Sequence, residues 1–192
     1  WSLAVDRVRF VGEAIAIVVA EDRYIAEDAV DDIKVKYRKL PAVIDPLAAV
    51  AKDAPLVHPA VGSNVPSDRH FTYGEPDRCF AEADKVVSIT IDYPRNSQTP
   101  LEGYVVVADY QAGEGVYDVL CNFQGPFTVH PVMSKALRCQ GAQLRIRTPA
   151  YSGGGFGVKQ AIFPYVVLMC IASKRIGRPV DALVDELAYF AH

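Results

Sequence analysis

Cysteine is scarce and never paired. Cys79, Cys121, Cys139 and Cys170 form no C-x-x-C pair, and no histidine lies at metal-ligand spacing from them. An iron–sulfur or zinc site built from this chain is therefore not expected, and no metal ligand is assigned to it. The thiols read as small buried apolar residues in a reduced, cytoplasmic setting. A basic excess is also missing. Lys and Arg number 20 against 23 Asp and Glu, a net charge of −3, with no Lys/Arg run. Such a chain offers no field for nucleic acid. Long apolar runs are missing too. The longest, residues 162–172, is too short to cross a bilayer and contains Pro164. Trp1-Ser2-Leu3-Ala4-Val5-Asp6 lacks the charged-then-apolar order of a signal peptide. With no Met at position 1, a processed product or a fragment is expected.

What is present suffices for a core. The 192 residues are 51% hydrophobic and 22% charged, room for one domain or a small domain plus part of another. The most informative stretch is Ser152-Gly153-Gly154-Gly155-Phe156-Gly157-Val158-Lys159-Gln160. A strand-like run, Leu144-Arg145-Ile146-Arg147-Thr148, precedes it. An apolar helical segment, 161–176, follows and ends at Gly177 and Pro179. Strand, glycine loop and helix in that order suit an anion, because glycines let backbone N–H groups approach a ligand and the helix start adds its dipole. The same glycines equally suit a tight turn that closes a sheet. Val158 before Lys159 excludes a phosphate-binding Walker loop, and the dinucleotide fingerprint is absent as well.

Taken in order, residues 14–20 are apolar and rich in β-branched side chains, a buried strand. Asp22 caps a helix over 23–32 with Ile25, Ala26, Ala29, Val30 and Ile33 on one face. Glu27, Asp28, Asp31 and Asp32 then form its solvated face, not a metal site. Residues 33–37 alternate as a half-exposed strand that Leu40-Pro41 ends. Residues 45–66 read as an extended connection, with His58 a loop residue. A strand is expected over 86–93, and a hairpin over 104–110 and 115–121 around Gln111-Ala112-Gly113-Glu114. Pro126 opens a helix to about Arg138, which tolerates Pro131 only in its first turn. Glu102, in Gln98-Thr99-Pro100-Leu101-Glu102, equally suits a general base, a turn cap or an internal partner for an arginine. Gln124 carries both a donor and an acceptor at a strand-to-helix junction. It can face a ligand or simply solvent.

Gly153-Gly154-Gly155-Phe156-Gly157-Val158-Lys159 resembles the cofactor loop of the xanthine dehydrogenase and aldehyde oxidase family, above all its carbon monoxide dehydrogenase-like molybdenum-binding large subunits. Gln160-Ala161-Ile162-Phe163-Pro164-Tyr165 and Gln124-Gly125-Pro126 continue the likeness. Val11-Gly12-Glu13, Ala26-Glu27-Asp28-Ala29 and Leu40-Pro41-Ala42-Val43 resemble the family's structural hammerhead. The resemblance implies an α+β fold: a partial a/b hammerhead over 1–50, a linker over 51–66, and the first part of a molybdopterin-binding domain over 67–192. It implies molybdopterin as cofactor, with the cytosine dinucleotide form left open, held by Gln124, Gly154, Gly155, Phe156 and Gly157. The glutamine would donate at the molybdenum centre. Phe156 would shape the substrate funnel, and Gln160 would fall where relatives vary a side chain with substrate. Lys159 would hold the loop or meet a neighbouring charge, and Glu102, in a segment that resembles the family's Pro-Leu/Met-Glu, would lie near the cofactor pocket in a structural role and not as the base.

Two departures limit the resemblance. After Gly177-Arg178-Pro179-Val180 the family's Glu-Asp-Arg is replaced by Asp181-Ala182-Leu183-Val184-Asp185-Glu186-Leu187. The chain also stops at His192, before the family's catalytic glutamate, so no catalytic residue is assigned and this chain alone is expected to be inactive. The implied function is one wall of the cofactor site of a molybdenum hydroxylase. Its partners would be iron–sulfur and flavin (FAD) subunits and a chain carrying the remaining molybdopterin domain. The alternative is a non-catalytic scaffold or assembly domain without cofactor, open to self-association.

Overall fold

The computed structural model describes residues 2–94 and 99–184. They fall into two compact units, one of residues 1–34 with 96–192 and one of residues 35–95. The larger unit carries a four-stranded sheet in the order β3-β2-β1-β4. Strands β1 (Tyr104–Gln111) and β2 (Val116–Cys121) form the expected hairpin, in antiparallel register from Val106 opposite Cys121 to Gln111 opposite Val116. Its turn closes because Gly115 adopts φ +68 and donates its N–H to Gln111 O at 2.8 Å. That left-handed backbone suits a residue without Cβ. β3 (Leu144–Arg147) runs parallel to β2, and β4 (Val180–Val184) antiparallel to β1.

The parallel β2–β3 pair needs a crossover, and the helix Pro126–Leu137 supplies it. Pro131 lies inside this helix, not in its first turn as expected. A proline there leaves the i−4 carbonyl without its N–H. That carbonyl belongs to Phe127, which is 90% exposed, so water can take over. The helix Phe163–Ile176 packs across β1, β4 and the crossover helix. It ends as the sequence implies: Gly177 at φ +70 donates its N–H to Ser173 O at 2.9 Å. Buried Ser173 ties the helix to the sheet by accepting the Tyr110 N–H at 2.9 Å. Val106, Ala108, Val119, Met133, Val166 and Cys170 lie at the centre of the core. The inward side chains of β1 alternate with outward ones, which is the period-two pattern that located the strand.

The helix Arg23–Asp31 begins as expected, with Asp22 Oδ1 accepting the Ile25 N–H at 2.9 Å. Its acidic face is solvated, and Glu27 pairs with Arg23 at 2.6 Å. In residues 35–95 the short helix Pro46–Ala49 is capped by Asp45, and another spans Pro76–Glu82. The Asn64 amide fastens the connection between them, donating to Ala49 O and Pro55 O and accepting the Val57 N–H.

Three expected strands, 14–20, 33–37 and 86–93, do not form. Among the described residues none of these runs joins a ladder, and Ile89 and Ile91 are 81% and 75% exposed. β-Branched alternation favours an extended backbone. A strand also needs a neighbour that pairs along its length, and among the described residues these runs have no such ladder; the first has a single bond, from Ala4 N–H to Ala14 O at 2.8 Å. Two of the thiols also depart from expectation, since Cys79 is exposed and Cys139 half-buried.

Candidate functional site

The two strand-to-helix junctions singled out in the sequence meet in space. One follows β2 and carries Asn122, Phe123, Gln124 and Gly125. The other follows β3 and carries the glycine loop, which leads into a one-turn helix, Val158–Ala161. β2 and β3 are adjacent and parallel, so both junctions emerge at the same end of the sheet. The loop therefore does not open directly onto the long helix, as the sequence suggested. Ile162 separates the short turn from Phe163–Ile176. Pro164 explains the break, because it has no N–H and its ring would crowd the carbonyl of Gln160.

A side chain joins the junctions. Gln124 Oε1 accepts the Gly157 N–H at 2.8 Å, and the Gln124 N–H donates to Lys159 O at 3.3 Å. Using the amide oxygen this way leaves the Nε2 group as the available donor. A Cβ on Gly155 would lie 2.6 Å from Gln124 Oε1, so this contact requires glycine. Gly154 and Gly157 hold φ +97 and +93, and Phe156 holds φ +48, a strained value for a residue with a Cβ. Among the described residues, the N–H groups of Gly154, Gly155 and Phe156 have no hydrogen-bond partner. The Phe156 ring is 70% exposed. Half-buried Gln160 lies beside the first junction, its Nε2 4.0 Å from the place a Cβ on Gly125 would occupy.

Beneath the loop is a charge. Lys159 is fully buried and pairs with Glu102. Glu102 Oε2 also accepts from Asn122 Nδ2 at 2.9 Å and from Ser152 Oγ at 3.4 Å. Its carboxyl is held down to about 2, first by the Lys159 hydrogen bond and then by the Gly153 N–H and the Asn122 amide, against the opposing effect of burial. It is therefore charged near neutrality and matched, as a structural residue would be. Its partner is a lysine, not the arginine considered from the sequence. Buried Asn122 uses its whole amide: Nδ2 donates to Glu102 and Gly103 O, and Oδ1 accepts the Val105 N–H at 3.0 Å. Sequence reasoning missed Asn122. The available signal was a lone polar residue between Cys121 and Phe123 at the end of an apolar strand.

The donor set can be tested against the group the resemblance implies. Among the described residues the Gln124 N–H₂ and three loop N–H groups have no protein partner, and the nearby carboxylate is paired with Lys159. Concave arrays of backbone N–H groups hold oxygen-rich anionic ligands, so the residues present fit a pterin cofactor with its phosphate and metal-bound ligands. Among the described residues no three His, Cys, Asp or Glu side chains could hold a metal by themselves. Burial pushes the Cys121 and Cys170 thiols up to about 11 and about 12, so neither is a nucleophile at neutral pH.

The family model of the molybdopterin cofactor-binding domain matches residues 57–190. The chain belongs to the molybdopterin cofactor-binding domain family. Residues 1–41 match the aldehyde oxidase and xanthine dehydrogenase a/b hammerhead domain. The chain's relatives are large subunits of molybdenum hydroxylases. It is 37% identical to the carbon monoxide dehydrogenase large chain of Hydrogenophaga pseudoflava, over 96% of this chain and 24% of that one. It is 33% identical to the nicotine 6-hydroxylase large subunit of Paenarthrobacter nicotinovorans, over 96% of this chain and 22% of that one. Among solved structures, quinoline 2-oxidoreductase from Pseudomonas putida 86 superposes with a TM-score of 0.84 at 33% identity, covering 98% of this chain and 24% of that one. The expected α+β class and its order, hammerhead then molybdopterin-binding domain, are thus correct. The chain spans about a quarter of the length of these relatives. Among the described residues no helix is long and apolar enough to cross a membrane.

Proposed function

We propose that the chain forms one wall of the molybdopterin site in a molybdenum hydroxylase-type oxidoreductase. The observation that carries this is the bond from Gly157 N–H to Gln124 Oε1, which ties the Gln124 amide to the glycine loop by its oxygen and leaves its N–H₂ available to a ligand. Gln124 Nε2 would donate to the cofactor, and the backbone of Gly154, Gly155, Phe156 and Gly157 would line it. Phe156 would offer its exposed ring to the substrate, and Gln160 would contact the substrate near Gly125. When bound, the molybdenum cofactor supplies the two-electron redox chemistry. This chain's own contribution is positioning: donors placed before the ligand arrives need no reorganisation when charge develops.

The division at residues 51–66 between hammerhead and cofactor domain belongs to this reading. So do its partners, iron–sulfur and flavin subunits and the polypeptide that bears the family's catalytic glutamate. The cytosine dinucleotide form of the cofactor stays open. Molybdenum and pterin analysis of the purified full protein, with its co-purifying subunits, tests the reading. Stoichiometric cofactor supports it, and a cofactor-free protein overturns it. A second reading, a non-catalytic assembly piece, draws on the exposed Ile89, Ile91 and Tyr93. It requires a cofactor-free oligomer in the same analysis.

A further inference from the structure

We propose that Glu102, Asn122 and Lys159 form a positioning bracket that holds the glycine loop and the Gln124 amide in their donor arrangement. Lys159 and Asn122 are buried, and Glu102 is half-buried. Each comes from a different segment: the approach to β1, the exit from β2, and the turn after the loop. Glu102 Oε2 is the common point, touching Lys159 Nζ, Asn122 Nδ2 and Ser152 Oγ. A Cβ on Gly153 would lie 2.6 Å from Glu102 Cβ, so the first loop glycine is seated directly on this side chain. The far end of the loop is tied through the Lys159 main chain, whose carbonyl accepts the Gln124 N–H. The loop is thus clamped at Gly153 by Glu102 and at Lys159 by both its side chain and its carbonyl. Between them Phe156 holds φ +48, which a residue with a Cβ disfavours.

Fold stability alone does not account for the pair. Lysine loses its hydration when fully buried, and apolar residues of similar volume commonly serve a fold as well or better. A charged pair adds direction: the ammonium and the carboxylate fix where the loop stands relative to β1 and β2. Asn122 transmits that placement, because its amide bonds Glu102 while its main chain leads, two residues on, to Gln124.

This inference rests on the proposed function for its purpose, but its test needs no ligand. Amide hydrogen exchange is read in the full protein at Gly157 and Gln124, whose hydrogen bonds use neither Glu102 nor the Lys159 ammonium. Lys159→Met should speed exchange at both by about tenfold, the scale of losing a hydrogen bond to a charged group, and leave 166–170 in the long helix unchanged. The double variant Glu102→Leu/Lys159→Met also removes the half-buried carboxylate that the single variant leaves without its ammonium. It should recover the wild-type melting temperature without recovering protection at Gly157 and Gln124. Wild-type protection in the double variant would overturn the proposal. So would equal loss throughout the helix, or a double variant that does not fold, since either makes the pair merely structural. If molybdenum and pterin are absent from the wild type, the functional reading fails, and the exchange result still decides the bracket.

Discussion

Gly153 and Gly155 sit two residues apart and should respond differently to a methyl group. At Gly153 the new Cβ would meet Glu102 Cβ at 2.6 Å, next to the backbone, where little can give. Gly153→Ala should therefore cost about 1–3 kcal/mol in a urea titration, as overpacking does. At Gly155 it would meet Gln124 Oε1, the tip of a flexible side chain. Gly155→Ala should hardly change stability but should displace Gln124 and lower cofactor content. Equal destabilisation by both would contradict the contacts described. Glu102 predicts a pH effect. Its folded-state pKa, about 2, lies below the ordinary 4.5, so its contribution is whole above pH 4.5 and is lost as pH falls toward 2. The side chain is 36% exposed, so solvent screens part of the effect. Subtracting the acid titration of Glu102→Gln from that of wild type isolates it. Parallel curves would show no such linkage. At this scale the sequence was partly legible. Gln124 and the loop glycines could be singled out from their own neighbourhoods and the family resemblance. The Glu102–Lys159 pair could not, because its partners are 57 residues apart and nothing local marks either as the other's counter-charge.

At the scale of elements, what closes locally was readable. The hairpin is set by alternation and by Gly115, the helix start by Asp22, and the helix end by Gly177. Gly177 gives a direct check. Nothing lies within 4 Å of a Cβ placed there, but φ is +70. Gly177→Ala should cost about 1 kcal/mol, the strain of a left-handed alanine, measured by thermal or urea unfolding. No loss would mean that the helix ends by other means. What depends on a distant partner was not readable. Residues 14–20, 33–37 and 86–93 have the composition of strands without a neighbour among the described residues. β3 was visible as a strand, but its parallel pairing with β2 depends on the crossover helix, whose interior Pro131 argued locally against it.

At the scale of the molecule, the sheet does one thing for the site: it brings the exits of β2 and β3 side by side. The residues the sequence named as cofactor contacts lie at those two exits, and the family match covers both. The chain spans about a quarter of the length of its relatives. The central claim concerns one amide. Gln124→Glu keeps an oxygen to accept the Gly157 N–H and replaces the N–H₂ by a carboxylate oxygen. The decisive measurement is molybdenum and pterin content of the full protein, wild type and Gln124→Glu side by side. The account predicts stoichiometric cofactor in the wild type and a loss of about tenfold or more in the variant. A variant that retains full cofactor, or a wild type that carries none, would contradict it.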